Sequence, residues 1–595
     1  MKTCRSLTLN EISQLEKQSC RCDDWSLIQV DADFNADYIS EVRFSGHVVL
    51  GAFSRWHTLD GGVKLHSGIS RAHIHECSIG NDVLIYNVGS YIADYDIAEN
   101  AVLMDVGTLC MDGQSSFGNG DEIHAICEAQ GLDVRMYDRL SSQAACLQAY
   151  YKHKTKMVAQ LDACIDQYVG SVTSGRGTVE RNAVIVGCRY ICNVRVGENA
   201  RLSYVDRLTE GTILSESNAP AVVGAGVIAD HFIISEGASV TDHTQISHCF
   251  VGQACRLSRG FSAEHSLFFA NCVLAEGEAV SVFAGPFTVS HHKSTLLIAG
   301  HFSFMNAGSG SNQSNHLYKT GPVHHGVLER GCKTGSSSYI MWPARAGAFS
   351  VVIGKHLSHF DTSELPFSYI LEQEGKSVLI PAANLCTSGT ARDAQKWPQR
   401  DGRSAARRAD RVHFDLWSPY MMQSIVQAIQ VLKQLQITGE CEKYEYHGVT
   451  IPAEALRKGI ESYQLVVDRY IGKMLQRAAS KDLLQQDTDN CFQWMDLGGM
   501  FVPETAIMNL ISDMETGRIN SLQDIENQLN HCFDNYEENE WQWFLSFFKK
   551  MQGKALSEMS PAELDKLRTQ SAMADEVIQQ RIGEDAAKDS ALSLS

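Results

Sequence analysis

A five-residue phrase returns along this chain at a spacing close to eighteen residues. Ile79-Gly80-Asn81-Asp82-Val83 is followed by Ile97-Ala98-Glu99-Asn100-Ala101, with Leu84-Ile85-Tyr86 and Val102-Leu103-Met104 at matching offsets. An aliphatic residue, a small residue, two polar residues and a second small apolar residue make one short strand and one corner. Three such units close a triangular coil. One coil cannot bury its apolar face alone, so a sequence of this period must stack coil on coil.

The phrase recurs at Val179–Ala183, Val196–Ala200, Ile234–Ala238, Val251–Cys255, Leu274–Ala279 and Leu328–Cys332. The aliphatic position should point inward, which places Ile79, Ile97, Val196, Ile234 and Val251 in the core. The Gly, Asn or Asp beside it should relieve the corner, because left-handed backbone angles cost those residues least. These phrases resemble the hexapeptide-repeat family, over roughly residues 40–380. The resemblance implies a mainly β fold with added helices, namely a left-handed parallel β-helix with an inserted helical segment and a helical C-terminal region. The whole chain resembles a family of long hexapeptide-repeat proteins known only as a domain of unknown function. Ser290-His291-His292-Lys293-Ser294-Thr295 and the run from Asn306 to His316 carry that likeness.

The domain organisation follows from where the period holds. Residues 1–40 read as a lead-in with helical spacing at Leu9–Leu15, and 41–120 as the first coils. Residues 121–171 read as a helical insertion with an apolar stripe (Leu147, Tyr151, Met157, Leu161, Ile165), and 172–385 as the second coils. A basic linker occupies 386–415, where Arg392, Lys396, Arg400, Arg403, Arg407, Arg408 and Arg411 face three aspartates. It suits either anion binding or a tie-down onto acidic surface. Residues 416–595 read as helical, with Ser418-Pro419 and Ser521-Leu522-Gln523-Asp524 as helix starts.

The net charge of −19 over 595 residues argues against sequence-independent binding of nucleic acid and against docking on an anionic membrane. No apolar run reaches the length of a membrane span, and the start lacks the apolar core of a signal peptide, so a cytoplasmic protein is expected. The eighteen cysteines are scattered without paired CxxC spacing and read as small core residues.

Eight of the twenty-two histidines lie between 291 and 359. The site expected there uses His291, His292 and His324 as catalytic imidazoles and Asn306, Asn312, Gln313, His316, Lys333 and Arg345 as substrate contacts. Three functions fit that set. In relatives of the resembled fold, an imidazole deprotonates an acceptor hydroxyl or amine while an amide steadies the oxyanion. That points to acyl transfer onto a sugar or sugar nucleotide, with acyl-CoA as a candidate donor. A metal-dependent hydrolase or lyase would draw on His356, His359 and Asp361, because adjacent histidines on a strand face opposite ways. A carbohydrate-binding or assembly scaffold needs no reaction at all. Relatives of the fold commonly associate as trimers, which makes a homo-oligomer a further expectation.

Overall fold

The computed structural model describes residues 4–129, 131–314, 325–437, 439, 441–480, 488 and 491–593. Its body is a run of strands that pair in parallel with the strand one coil earlier and one coil later. Leu84–Tyr86 pairs with Val102–Met104 at an offset of eighteen, and Val102–Met104 continues onto Val184–Val186. The stack is therefore continuous across the inserted segment.

From Tyr190 to Phe302 each coil holds one seven-residue strand, such as Ile228–Ile234, Gln245–Val251 and Ser262–Phe268, and one short strand, such as Ser239–Val240. The long strand bends at its middle residue. Asn193, Glu210, His231, His248, His265, Ser281 and Ala299 all hold that bend with φ between 46° and 56°. Each coil therefore has three faces: a first before the bend, a second after it, and a third on the short strand.

In-register parallel pairing stacks like on like. Ile79, Ile97, Val179, Val196, Ile213, Ile234, Val251 and Phe268 form one inward column. None is more than 2% exposed. Burying each such side chain is worth about 1.5–3 kcal/mol. The left-handed corner residue lies three positions after the inward aliphatic one rather than beside it. It is Asp82, Asn100, Asn182, Asn199 and Gly237 in successive phrases, with φ from 55° to 71°.

Ten α-helices occur among the described residues: α1 (Leu9–Lys17), α2 (Ser142–Tyr150), α3 (Thr155–Val172), α4 (Ser388–Gln399), α5 (Pro419–Ile437), α6 (Ala453–Ser480), α7 (Glu504–Glu515), α8 (Leu522–Asp534), α9 (Tyr536–Gln552) and α10 (Pro561–Ser593). A capping box between Thr8 and Glu11 starts α1. Ser418 and Ser521 accept hydrogen bonds from Met421 N (3.3 Å) and Asp524 N (3.1 Å) at the starts of α5 and α8. α6 lies along α10, and at Gly472 a Cβ would sit 2.0 Å from Ser571 Oγ, so the crossing needs glycine there.

The structure corrects four sequence expectations. The coil stack begins before residue 41, because Cys4–Ser6, Arg21–Cys22 and Ile28–Asp31 pair into it. Helix occupies only 142–150 and 155–172 of the insertion, while Glu122–Ile123 pairs with Val134–Arg135 as a hairpin. That stretch has left-handed glycines at 118, 120 and 131, which end helices rather than continue them.

The C-terminal region also carries two hairpins. Lys443–Tyr446 pairs with Val449–Pro452, and Trp494–Leu497 with Met500–Pro503. Gly448, Gly498 and Gly499 make their turns with positive φ. Finally, the basic stretch starts as α4 and continues as a strap tied to the body. Asp401 accepts from Asn271 Nδ2 at 3.0 Å, Arg407 pairs with Glu526 at 2.8 Å, and Asp410 accepts from the backbone of Ser142 (2.7 Å) and Ala270 (2.8 Å). Of the two readings of that stretch, this geometry matches the tie-down.

Candidate functional site

The described residues of the histidine-rich window do not converge on one pocket. His291 and His292 are exposed on the corner after Val289–Ser290, their rings 4.3 Å apart. Asn306 and Lys333 lie on the third face, where Lys333 Nζ meets Asp393 of α4 at 2.5 Å. Asn312 and Gln313 lie on the first face. Gln313 points into the coil between Leu297 and Ile340, fully buried and with no hydrogen-bond partner for its amide among the described residues. Arg345 lies on the second face. His316 and His324 fall outside the described residues.

The expected shared pocket is thereby corrected. Stacking aligns residues one coil apart, and 291, 306, 312 and 345 are not spaced by whole coils. The candidate metal ligands are also separated. His356 is buried, with Nδ1 2.9 Å from Ser377 Oγ and Nε2 3.1 Å from Ile353 O, while His359 is exposed. Among the described residues no cluster of three His, Cys, Asp or Glu is placed to hold a metal ion.

A cavity of about 670 Å³ opens instead where the second face meets the helical region. Glu329 and Arg345 come from the coils, Tyr420 and Gln423 from α5, and Trp543 and Phe547 from α9. Arg345 belongs to an outward column that runs His301, Val327, Arg345, Asp361. Among the described residues of the sequence-derived site, it is the one that borders this space.

Two features build the wall. Glu329 follows the inward Leu328, so it faces outward from the coil, and Gly331 turns the corner at φ 75°. The next residue, Arg330, is almost fully buried. Its guanidinium is 3.2 Å from Asp496 Oδ2 and lies over Phe304 and Phe501, at 3.9 and 4.4 Å from their ring centres. It thereby clamps the 494–503 hairpin to the coil, and that hairpin's flank (Phe492, Gln493) lines the cavity.

Glu329 is a carboxyl strongly altered by this setting. Burial pushes its carboxyl up to about 7, against the opposing pull of Arg345 and of the Tyr420 hydroxyl, 3.3 Å from Oε2. Nearby, burial and then Arg345 hold His301 down at about 3, and the Tyr150 hydroxyl hydrogen-bonds its Nδ1. His325 is lowered for the same two reasons. Both imidazoles are neutral at pH 7, while Glu329 is poised between its two forms.

The floor continues along α5. Gln423, Gln427, Gln430 and Gln434 follow steps of four, three and four, so they share one side of the helix. A second cavity of about 620 Å³ takes up Gln427, Gln430, Gln434 and Tyr446, and shares its first two glutamines with the larger one. Gln423 is held by Trp494, donating to its carbonyl at 3.3 Å and accepting from its N–H at 3.0 Å. Gln427 donates to Glu364 at 3.0 Å, and the Tyr446 hydroxyl also donates to Glu364 at 2.7 Å. The sequence does carry a signal for this floor, a glutamine stripe opposite the buried Met422, Ile425, Ile429 and Leu432. Nothing local marks Glu329.

A coil-stack body closed by helices that complete a cavity defines the class of this protein. The chain belongs to the family described as Domain of unknown function (DUF4954), whose model matches residues 4–436. A second model, Domain of unknown function (DUF6819), matches residues 476–594. The chain is also similar to an uncharacterized protein of Treponema pallidum (strain Nichols), 23% identical over 590 residues that cover 90% of this chain and 80% of the relative. The cavity sits at the junction of the two matched regions: Glu329, Arg345 and Tyr420 come from the first, Trp543 and Phe547 from the second. Among the described residues no helix is long and apolar enough to cross a membrane.

Proposed function

We propose that the cavity binds a sugar or sugar nucleotide and that the protein transfers an acyl group to it, with Glu329 as the proton acceptor. The observation that carries this reading is a carboxyl poised near pH 7 in a large cavity, beside a cation. A general base works best when its pKa lies near the working pH. In the step proposed, Glu329 takes the proton of an acceptor hydroxyl or amine while that atom attacks the carbonyl carbon of a thioester such as acyl-CoA. The new ester or amide bond forms, the carbon–sulfur bond breaks, and the departing thiolate recovers a proton from Glu329.

Arg345 and Lys550 supply positive charge for phosphate oxygens. The glutamines offer paired donors and acceptors to hydroxyls, and Trp543 and Phe547 offer apolar faces to a ring. The repeat phrases support a left-handed coil of the hexapeptide-repeat kind, in which such transferases occur. The proton acceptor in this reading is a carboxylate rather than an imidazole, because burial leaves the neighbouring His301 too weakly basic, at about 3, and Tyr150 engages its Nδ1.

Thermal-shift measurements against a panel of acyl-CoAs and nucleotide sugars test the ligand class, since a bound ligand stabilises the native state. Glu329→Gln should then lower turnover by roughly 10²–10⁴-fold with little change in sugar binding. The glutamine stripe and the second cavity favour one other reading, a carbohydrate-binding module without a reaction. Binding with no turnover in the wild-type protein would select it. No shift with any member of the panel would overturn both.

A further inference from the structure

Away from the cavity, four imidazoles form one continuous stack. His231, His248 and His265 hold the bend of three consecutive coils, with φ of 49°, 49° and 46°. Their ring centres are 4.6 and 4.7 Å apart. His124, from the inserted segment, adds a fourth ring 4.5 Å from His265, and its backbone N–H points at His265 Nδ1 from 3.4 Å. Carboxylates close both ends: Asp121 Oδ2 lies 2.8 Å from His231 Nδ1, and Asp133 Oδ1 lies 2.9 Å from His124 Nδ1. Asp121, His124 and Asp133 all flank or belong to the hairpin formed by Glu122–Ile123 and Val134–Arg135.

We propose that this stack is a proton-sensitive clasp, which holds the hairpin edge of the insertion on the coil bends when its inner rings are neutral and releases it when they are protonated. Neutral imidazoles stack without electrostatic cost. Protons on neighbouring rings would put like charges less than 5 Å apart in a half-buried place.

The charged groups facing the stack are unevenly placed. Asp121, Asp230 and Glu210 act on His231; Asp121, Asp230 and Glu264 act on His248; Glu264 and Asp133 act on His265. Burial and then the neighbouring imidazoles hold His248 and His265 below the ordinary range. At His231 burial also lowers, but Asp121, Asp230 and Glu210 together more than offset it and the net shift is upward.

The signs follow. The stability that His248 and His265 lend is present above the ordinary imidazole value of about 6.5 and is lost as pH falls below it toward their folded values. His231 works in the opposite sense, lending stability below about 6.5 that is lost as pH rises through its folded value. His265 is the inner ring that touches His124, and His248 stacks on its other side, so acid loosens the hairpin. The rest of the insertion stays docked, because α3 packs on α7 and α8.

Hydrogen–deuterium exchange of the full chain between pH 8 and pH 5, corrected for intrinsic rates, tests the clasp. Amides of 120–129 and 131–136 should exchange on the order of tenfold faster at the acid end, while those of α3 keep their protection. In His248→Asn that step should shrink to about twofold or less, with the melting temperature at pH 8 unchanged. Asparagine suits the bend, since Asn193 holds the same position two coils before His231 with φ 56°. A wild-type protein without the step, or a step that persists in both His248→Asn and His265→Asn, overturns the proposal. Should neither variant fold, an NMR titration of the wild-type protein decides: His248 and His265 titrating at or above about 6.5 would refute the clasp.

Discussion

A guanidinium taken out of water must have its charge and its donors answered by the protein, and Arg330 meets that demand with Asp496, two aromatic faces and the carbonyl oxygens of His413 and Gly499. Arg330→Ala would leave Asp496 nearly buried and unpaired, which should cost about 3–5 kcal/mol. A urea melt should show the loss, with the 494–503 hairpin opening first. Gln313 is the opposite case, a buried amide whose oxygen and nitrogen have no partner among the described residues. Gln313→Met keeps the shape and removes the penalty, so the variant should be more stable by about 1–3 kcal/mol, read as a higher melting temperature.

Glu329 ties residue chemistry to pH. Its folded pKa is raised, so the stability it contributes is present below its ordinary value and is lost as pH rises through about 7. Glu329→Gln should therefore melt higher than the wild-type protein at pH 8, and the gap should close toward pH 4. Equal melting curves across that range would show that the carboxyl is not perturbed.

For single elements, the strand carrying Ile97 is the most exacting. Ile97 is stacked in register between Ile79 and Val179, with no polar group to receive a charge. Ile97→Asp should cost several kcal/mol and lower the melting temperature sharply. The same logic explains what was legible element by element. An aliphatic residue every coil is a strong local signal, and the inward positions of Ile79, Ile97, Val196, Ile234 and Val251 follow from it directly. The helix starts at Ser418 and Ser521 were equally local, because a cap is a contact within four residues. The hairpins at 443–452 and 494–503 were harder to see, since each strand is only four residues long and flanked by helices.

On the scale of the molecule, the coil stack was determined by the sequence alone. Its period places each residue beside one about a coil away, and a regular spacing in sequence becomes a regular neighbourhood in space. The cavity was decided only by tertiary structure. Glu329 meets Tyr420 across 91 residues, and Arg330 meets Asp496 across 166. Neither separation is a multiple of any repeat. The density of histidines at 291–359 misled for the same reason: closeness in sequence spreads side chains around three faces of a coil, and only whole-coil spacing gathers them. His231, His248 and His265, seventeen residues apart, were gathered by the period. What that period could not supply was the docking of α5, α9 and the 494–503 hairpin, because it depends on non-repeating contacts between surfaces that each fold on their own pattern.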